Sequence, residues 1–326
     1  MGVLVYHCHP RLVGTWVFGA SLWGWAGVNL FFVLSGYLIT AILLEARGKP
    51  HYFRNFYAHR ALRIWPMYAL VLVVVYLNSD WFIGPPVWQA VRQAPWWAYI
   101  FFVQNLFHLS LPPSVGPTWS LAIENQYYLL WAPMVRYLRR PWMLASLLAL
   151  ALVCPPFLRH SHPAFLLGLP THTLIKLDGI ALGSLLALGL YVLPLSRRVW
   201  LGIGLGLFVL GMAAVPLVPG YCLDSAMATG FAGAVLASIA ATGARNPLSA
   251  ALRRGPLPFY GKISYGLYMI HIAVFIYFGS FDLRMDRYGI PGNLAVVAVR
   301  FAVSTAAATA LWYGYESRVL KLKRYL

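Results

Sequence analysis

The stretch GVNLFFVLSGYLIT, residues 27–40, carries no ionisable acidic or basic side chain and lies within a longer apolar run from 26 to 44. An α-helix needs about 20 apolar residues to cross the hydrocarbon core of a bilayer, and this run supplies them. Ser35 and Gly36 give the helix a small-residue surface on which a neighbour can pack closely.

The rest of the chain has the same character. Of its 326 residues 60% are apolar and 10% charged, with a mean hydropathy of +0.68. A soluble domain of this size would carry about a quarter charged residues. The fold class is therefore all-α, a polytopic integral membrane helical bundle. Further apolar stretches fall at 1–20 (interrupted), 64–79, 119–135, 142–158, 174–195, 199–218, 226–243, 259–279 and 292–315. Together these predict about ten spans, the first of them incomplete. The stretch PWWAYIFFVQNLFHL (95–109) is short and aromatic and contains Gln104, Asn105 and His108, so it reads as an interfacial or re-entrant piece.

The formal charge of +17 does not call for a nucleic-acid partner. With the tail SRVLKLKRYL in the cytoplasm, the inner segments become 45–63, 136–141, 196–198, 244–262 and the tail. These hold most of the basic residues, including Arg47, Arg136, Arg245, Arg253, Arg254 and Lys262. The alternation predicts a multi-pass membrane protein with both termini cytoplasmic. Cys8, Cys154 and Cys222 are scattered and suggest neither a disulfide framework nor a metal site.

Ionisable groups at membrane depth are costly and therefore functional candidates: His7, Glu124, Lys176, Asp178, His271 and Arg300. In FRNFYAHRALRIWPMY (53–68), Arg60 and Arg63 are three apart and share a helical face. They read either as positive-inside anchors or as a two-guanidinium clamp for phosphate. In PTWSLAIENQYYLLWAP (117–133), Glu124 has Asn125, Gln126, Tyr127 and Tyr128 as neighbours, which favours a hydrated cavity over a lone ion pair.

These stretches, followed by KLDGIALGSLLAL (176–188), GKISYGLYMIHIAV (261–274) and YGYESRVLKLKR (313–324), resemble in order the motifs of the acyltransferase 3 family of integral membrane acyltransferases. The resemblance covers essentially the whole chain and implies a single membrane domain over 1–326 with no fused soluble domain. It implies transfer of an acyl group, commonly acetyl from acetyl-CoA as co-substrate, to a hydroxyl of a carbohydrate or lipid-linked glycan. A separate soluble partner chain is compatible with it.

Carried over by position, the family's catalytic histidine falls on His7, with Glu124 as the group that orients or tunes it and Arg60 and Arg63 as contacts for the CoA phosphates. Ser35, Tyr37, Trp119 and Ser120 are expected along the acyl or acceptor path. His271 is expected as a buried hydrogen-bonding residue, and Asp178 in a structural ion pair with a nearby cation, Lys176 or an arginine from another span. Two departures stand out. Asn29 occupies a position where the family usually has aspartate, and the family's arginine eleven residues before the histidine would precede Met1. The second predicts a first helix lacking its amino-terminal half. From a different class, a proton-coupled transporter or flippase would also use intramembrane His, Glu and Asp, but no inverted repeat is visible.

Overall fold

The computed structural model describes residues 1–77, 95–106, 115–161, 171–241 and 255–325. Its main helices are α1 (Gly2–His7), α2 (Gly27–Ala46), α3 (Tyr52–Leu77), α4 (Thr118–Tyr137), α5 (Pro141–Ser161), α6 (Leu177–Val192), α7 (Arg197–Ala214), α8 (Leu223–Ala241), α9 (Pro256–Tyr277) and α10 (Gly289–Leu311). Each of the ten apolar stretches overlaps one of them. Among the described residues, seven helical segments are long and apolar enough to cross a membrane. Two more fall short for visible reasons. α4 has the length but carries Glu124, Asn125 and Gln126, and α6 is apolar but only 16 residues long.

The first stretch is the broken one. α1 ends after six residues, and a 3-10 turn over His9–Leu12 follows with Pro10 at its start. Proline lacks the N–H that would continue the α-helical ladder. α3 begins at Tyr52, well before the apolar run that starts at 64. Tyr52 and Phe56 explain the early start: four residues apart, both buried, they give the polar segment an apolar stripe against the bundle. Arg60 and Arg63 are thus helical residues, not loop residues.

Over its described residues the segment after Pro95 forms short elements rather than a spanning helix. A short helix over Trp96–Ile100 is followed by a 3-10 turn over Gln104–Leu106. Gln104 and Asn105 are buried. Gln104 donates to the Tyr68 hydroxyl (3.3 Å) and the Thr118 carbonyl (3.2 Å), and Gln126 Nε2 donates to Asn105 Oδ1 (2.8 Å). His108 and the inner-segment residues Arg245, Arg253 and Arg254 lie outside the described residues.

Small residues bring two helix pairs to backbone contact. A Cβ placed on Gly36 of α2 would sit 2.1 Å from the Ile180 carbonyl oxygen of α6. One placed on Gly183 of α6 would sit 2.0 Å from the Val33 oxygen of α2. No side chain fits either position, as the Ser35-Gly36 surface predicts. α7 and α8 meet the same way through Gly211 and Gly230.

One end of the bundle gathers the basic segments. Arg47, just past α2, donates to the Val135 and Leu138 carbonyls (both 2.6 Å), and so satisfies the exposed carbonyl end of α4. Arg136 donates back to the Arg47 carbonyl (2.8 Å). At the carboxy-terminal end of α10 a π-helical turn, Trp312–Glu316, swings Glu316 inward onto α3. Such turns are single-turn deviations from the α-ladder that re-aim a side chain.

Candidate active site

Two cavities of about 440 and 420 Å³ lie one above the other along the bundle. Three helices fix their order. On α2, Asn29 lines the smaller cavity while Phe31, Ser35 and Leu38 line the larger. On α4, Trp119 belongs to the smaller, and Leu121, Glu124 and Tyr128 to the larger. α9 runs the other way, with Tyr260, Ser264 and Tyr265 in the larger and Ile272 in the smaller. From Trp119 to Tyr128 is nine residues, about 14 Å of helix. Val3 of α1, Val28 and Tyr268 line both spaces and form the partition between them.

The larger cavity opens among cations. Arg60 and Arg63 both line it, as their spacing predicts. Arg63 Nη1 donates to Glu316 Oε1 (2.7 Å), and its guanidinium lies 5.6 Å from the Tyr265 ring centroid. Arg60 makes no direct ion pair among the described residues; Glu124 deeper in the cavity and Lys323 of the tail both lie within its electrostatic reach. Deeper in the same cavity Glu124 is 3% exposed and accepts a 2.8 Å hydrogen bond from the Tyr128 hydroxyl, with Ser35 alongside. This end can receive a multiply charged anion, because guanidinium forks match phosphate oxygens.

The smaller cavity holds the histidine. His7 ends α1 and lines this space together with Tyr6, Trp25, Asn29, Trp119, Lys176 and Asp224. Its ring centroid is 5.2 Å from that of His271, a fully buried residue of α9. Ser120 is buried and shares a 2.8 Å hydrogen bond with the Tyr268 hydroxyl, which also donates to the Pro117 carbonyl (3.1 Å). Ser120 therefore fixes the partition rather than lining a space.

The structure regroups several expected residues. His7 and Glu124 line different cavities, and the ring beside His7 is that of His271. Tyr37 lies on the opposite face of α2, packed with the cluster around Val33, Ala232 and Leu236, and lines neither cavity. Of the two cations expected for Asp178, the partner is the arginine from another helix: Asp178 Oδ2 accepts from Arg159 Nη2 (2.8 Å), while Lys176 Nζ donates to Asp224 Oδ2 (2.7 Å). Two positions apart at the start of a helix, the two side chains point in different directions.

Arg159 and Asp224 complete a network that sequence reasoning did not identify. Arg159, near the end of α5, also reaches Asp224 Oδ2 (3.3 Å), Ser225 Oγ (3.0 Å) and the carbonyls of Ile175 (2.8 Å) and Tyr221 (2.7 Å). Asn29 Nδ2 donates to Asp224 Oδ1 (3.1 Å). That contact gives Asn29 a reason: an aspartate there would set two carboxylates against each other, whereas the amide donates. The only sequence signal for Arg159 and Asp224 was their position, just beyond the apolar stretches 142–158 and before 226–243.

The acyltransferase domain model named acyltransferase 3 matches residues 1–313. The chain is similar to the peptidoglycan O-acetyltransferase OatA of Listeria monocytogenes, 34% identical over 142 residues, covering 40% of this chain and 21% of the relative. It is 32% identical over 170 residues to the putative peptidoglycan O-acetyltransferase YrhL of Bacillus subtilis, covering 47% and 25%. It is 26% identical over 321 residues to the O-acetyltransferase OatA of Staphylococcus aureus, covering 87% and 50%. The chain thus spans half or less of the length of these curated relatives. No solved structure gives a significant match. With a helical membrane bundle, the ordered motifs and a family match over nearly its whole length, the chain belongs to the acyltransferase 3 family.

Proposed function

We propose that the chain transfers an acetyl group from acetyl-CoA to a hydroxyl of a carbohydrate or lipid-linked glycan. In this reading it sits in the bacterial inner membrane with both termini cytoplasmic. The observation that carries it is the stacking of two cavities, one opening among Arg60, Arg63 and Lys323 and the other lined by His7. A thioester whose phosphates rest on the cationic end can present its acetyl group toward the partition at Tyr268. The acceptor enters the smaller cavity, where Trp25 and Trp119 offer ring faces and Asn29 and Lys176 offer hydrogen-bonding groups.

The chemistry follows from those placements. The neutral His7 imidazole takes the proton of the acceptor hydroxyl, and the oxygen attacks the thioester carbonyl carbon. The C–S bond breaks, and the departing CoA sulfur takes the proton back from the His7 imidazolium. Products are the acetyl ester and CoA, with no net proton change. Glu124, in the larger cavity, is then a donor-side residue and not the partner of His7. The Listeria and Bacillus relatives, named for peptidoglycan, make a cell-wall glycan the first acceptor to try.

Purified full chain in lipid nanodiscs, given labelled acetyl-CoA and soluble peptidoglycan oligosaccharides, is the test. Free CoA and labelled, alkali-labile glycan ester should appear together. Proton or glycan movement with no CoA released would support a transporter instead.

A further inference from the structure

We infer that His271 is the positioning residue of His7: it accepts a hydrogen bond from one His7 ring nitrogen and so holds the other bare as the base. This rests on the acyl-transfer reading and deepens it.

The inference begins with the His271 tautomer. His271 is fully buried on α9, and its Nδ1 lies 2.7 Å from the Tyr268 carbonyl oxygen. A carbonyl only accepts, so Nδ1 carries the proton and Nε2 presents a lone pair. That Nε2 is buried and has no hydrogen-bond partner among the described residues. Buried polar atoms in native proteins are nearly always paired, so an orphan in a core calls for an explanation.

Three aromatic rings surround His271, and one of them can fill the vacancy. Phe275 (5.7 Å between centroids) has no donor, and Tyr268 (5.9 Å) already spends its hydroxyl on Pro117 and Ser120. His7 is nearest at 5.2 Å. Subtracting the radii of two imidazole rings leaves about 3 Å between facing ring atoms, the length of an N–H···N hydrogen bond. As the tilted rings stand no bond joins them, so the proposal has the His7 ring turn one nitrogen toward Nε2. His7 is part of the wall of the smaller cavity, so its second nitrogen remains available to an acceptor hydroxyl.

The arrangement matches the role of a third group behind a general base. It fixes the tautomer before reaction. When His7 takes the acceptor proton, the bond to His271 becomes charge-assisted and strengthens. A carboxylate such as Glu124, in the other cavity, need not approach.

Two measurements on the full chain in nanodiscs test this. The first is steady-state acetyl transfer from acetyl-CoA to peptidoglycan oligosaccharides by the variants His271→Leu and His271→Gln. Leucine removes the acceptor atom, while the glutamine oxygen stands near where Nε2 stood. The expected result is a loss of about 100-fold in kcat for His271→Leu with KM for acetyl-CoA unchanged, and recovery of most of that loss in His271→Gln. Equal losses in both variants, or a loss confined to KM, would overturn the proposal. The second is nitrogen-15 NMR of histidine-labelled wild-type chain, which needs neither turnover nor a stable variant. His7 should show a single tautomer whose protonated nitrogen is coupled to His271. Rapid exchange between both tautomers contradicts the assignment even if acetyl transfer is confirmed. A fixed tautomer in a chain that transfers nothing leaves the His7–His271 bond standing and removes only the catalytic reading.

Discussion

Arg63 of α3 is held at 2.7 Å by Glu316, a residue 253 positions later in the chain. The carboxylate is almost fully buried, and the guanidinium is part of a cavity wall. This contact joins the carboxy-terminal π-turn to the cationic mouth and gives the two arginines of one helical face different jobs. Arg63 is tethered by a direct ion pair, whereas Arg60 makes none among the described residues and reaches Glu124 only at longer range.

Arg60→Ala is therefore expected to raise KM for acetyl-CoA about tenfold while leaving thermal stability nearly unchanged, since one guanidinium–phosphate contact is lost. Arg63→Ala is expected to lower the unfolding midpoint as well, because Glu316 is left buried without its cation. Scanning fluorimetry beside steady-state kinetics checks the pair. Identical behaviour of the two variants would contradict the division.

The Arg159 network makes a second prediction. Removing the guanidinium in Arg159→Met leaves Asp178 buried without its cation, a loss of about 3–5 kcal/mol for a broken buried pair, while Asp224 keeps Lys176 and Asn29. Little folded protein should be recovered from membranes. The double variant Arg159→Met with Asp178→Asn should recover part of the yield, because one uncompensated charge is gone. Gel-filtration yield measures both, and full accumulation of Arg159→Met would count against the network.

At Asn29, the substitution Asn29→Asp restores the residue common in the family. Here it replaces a donor to Asp224 with a second carboxylate at 3.1 Å. Like charges at that distance destabilise, so the melting midpoint should fall, and fall further when Lys176→Met removes the remaining local ammonium. An unchanged midpoint in both would show that Asn29 and Asp224 do not meet.

Helix packing offers a test independent of chemistry. Gly36→Leu forces a side chain into the Ile180 backbone and should cost several kcal/mol, well above the range of ordinary core overpacking. Gly202 of α7 faces open space, so Gly202→Ala should be neutral or stabilise by up to about 1 kcal/mol. Comparable stability of the two variants, read by thermal aggregation in detergent, would contradict the α2–α6 contact.

Much of this architecture is legible in the sequence because the bilayer imposes a simple length and polarity rule. Each of the ten apolar stretches found its helix, and the reading of 95–109 as less than a full span fits the short helix Trp96–Ile100, with 107–109 outside the described residues. The start of α3 was not legible in hydropathy: Tyr52 and Phe56 form a stripe too short to register beside Arg54, Arg60 and Arg63. Pairings were the least accessible layer. Lys176 and Asp178 are two positions apart but point in different directions, while Arg159 and Asp224 are 65 positions apart and meet only in the folded bundle. The partner of His7 was hidden for the same reason, since nothing in the spacing of His7, Glu124 and His271 says which ring α9 brings alongside.

The central claim is that His7 is the base of an acetyl transfer. The most direct measurement is transfer from labelled acetyl-CoA to peptidoglycan oligosaccharide by wild type and His7→Ala, each as full chain in nanodiscs with matched elution and thermal midpoint. The account predicts equimolar CoA and glycan ester from the wild type and a loss of at least about 100-fold in His7→Ala. Near-normal ester formation by a folded His7→Ala variant would contradict it.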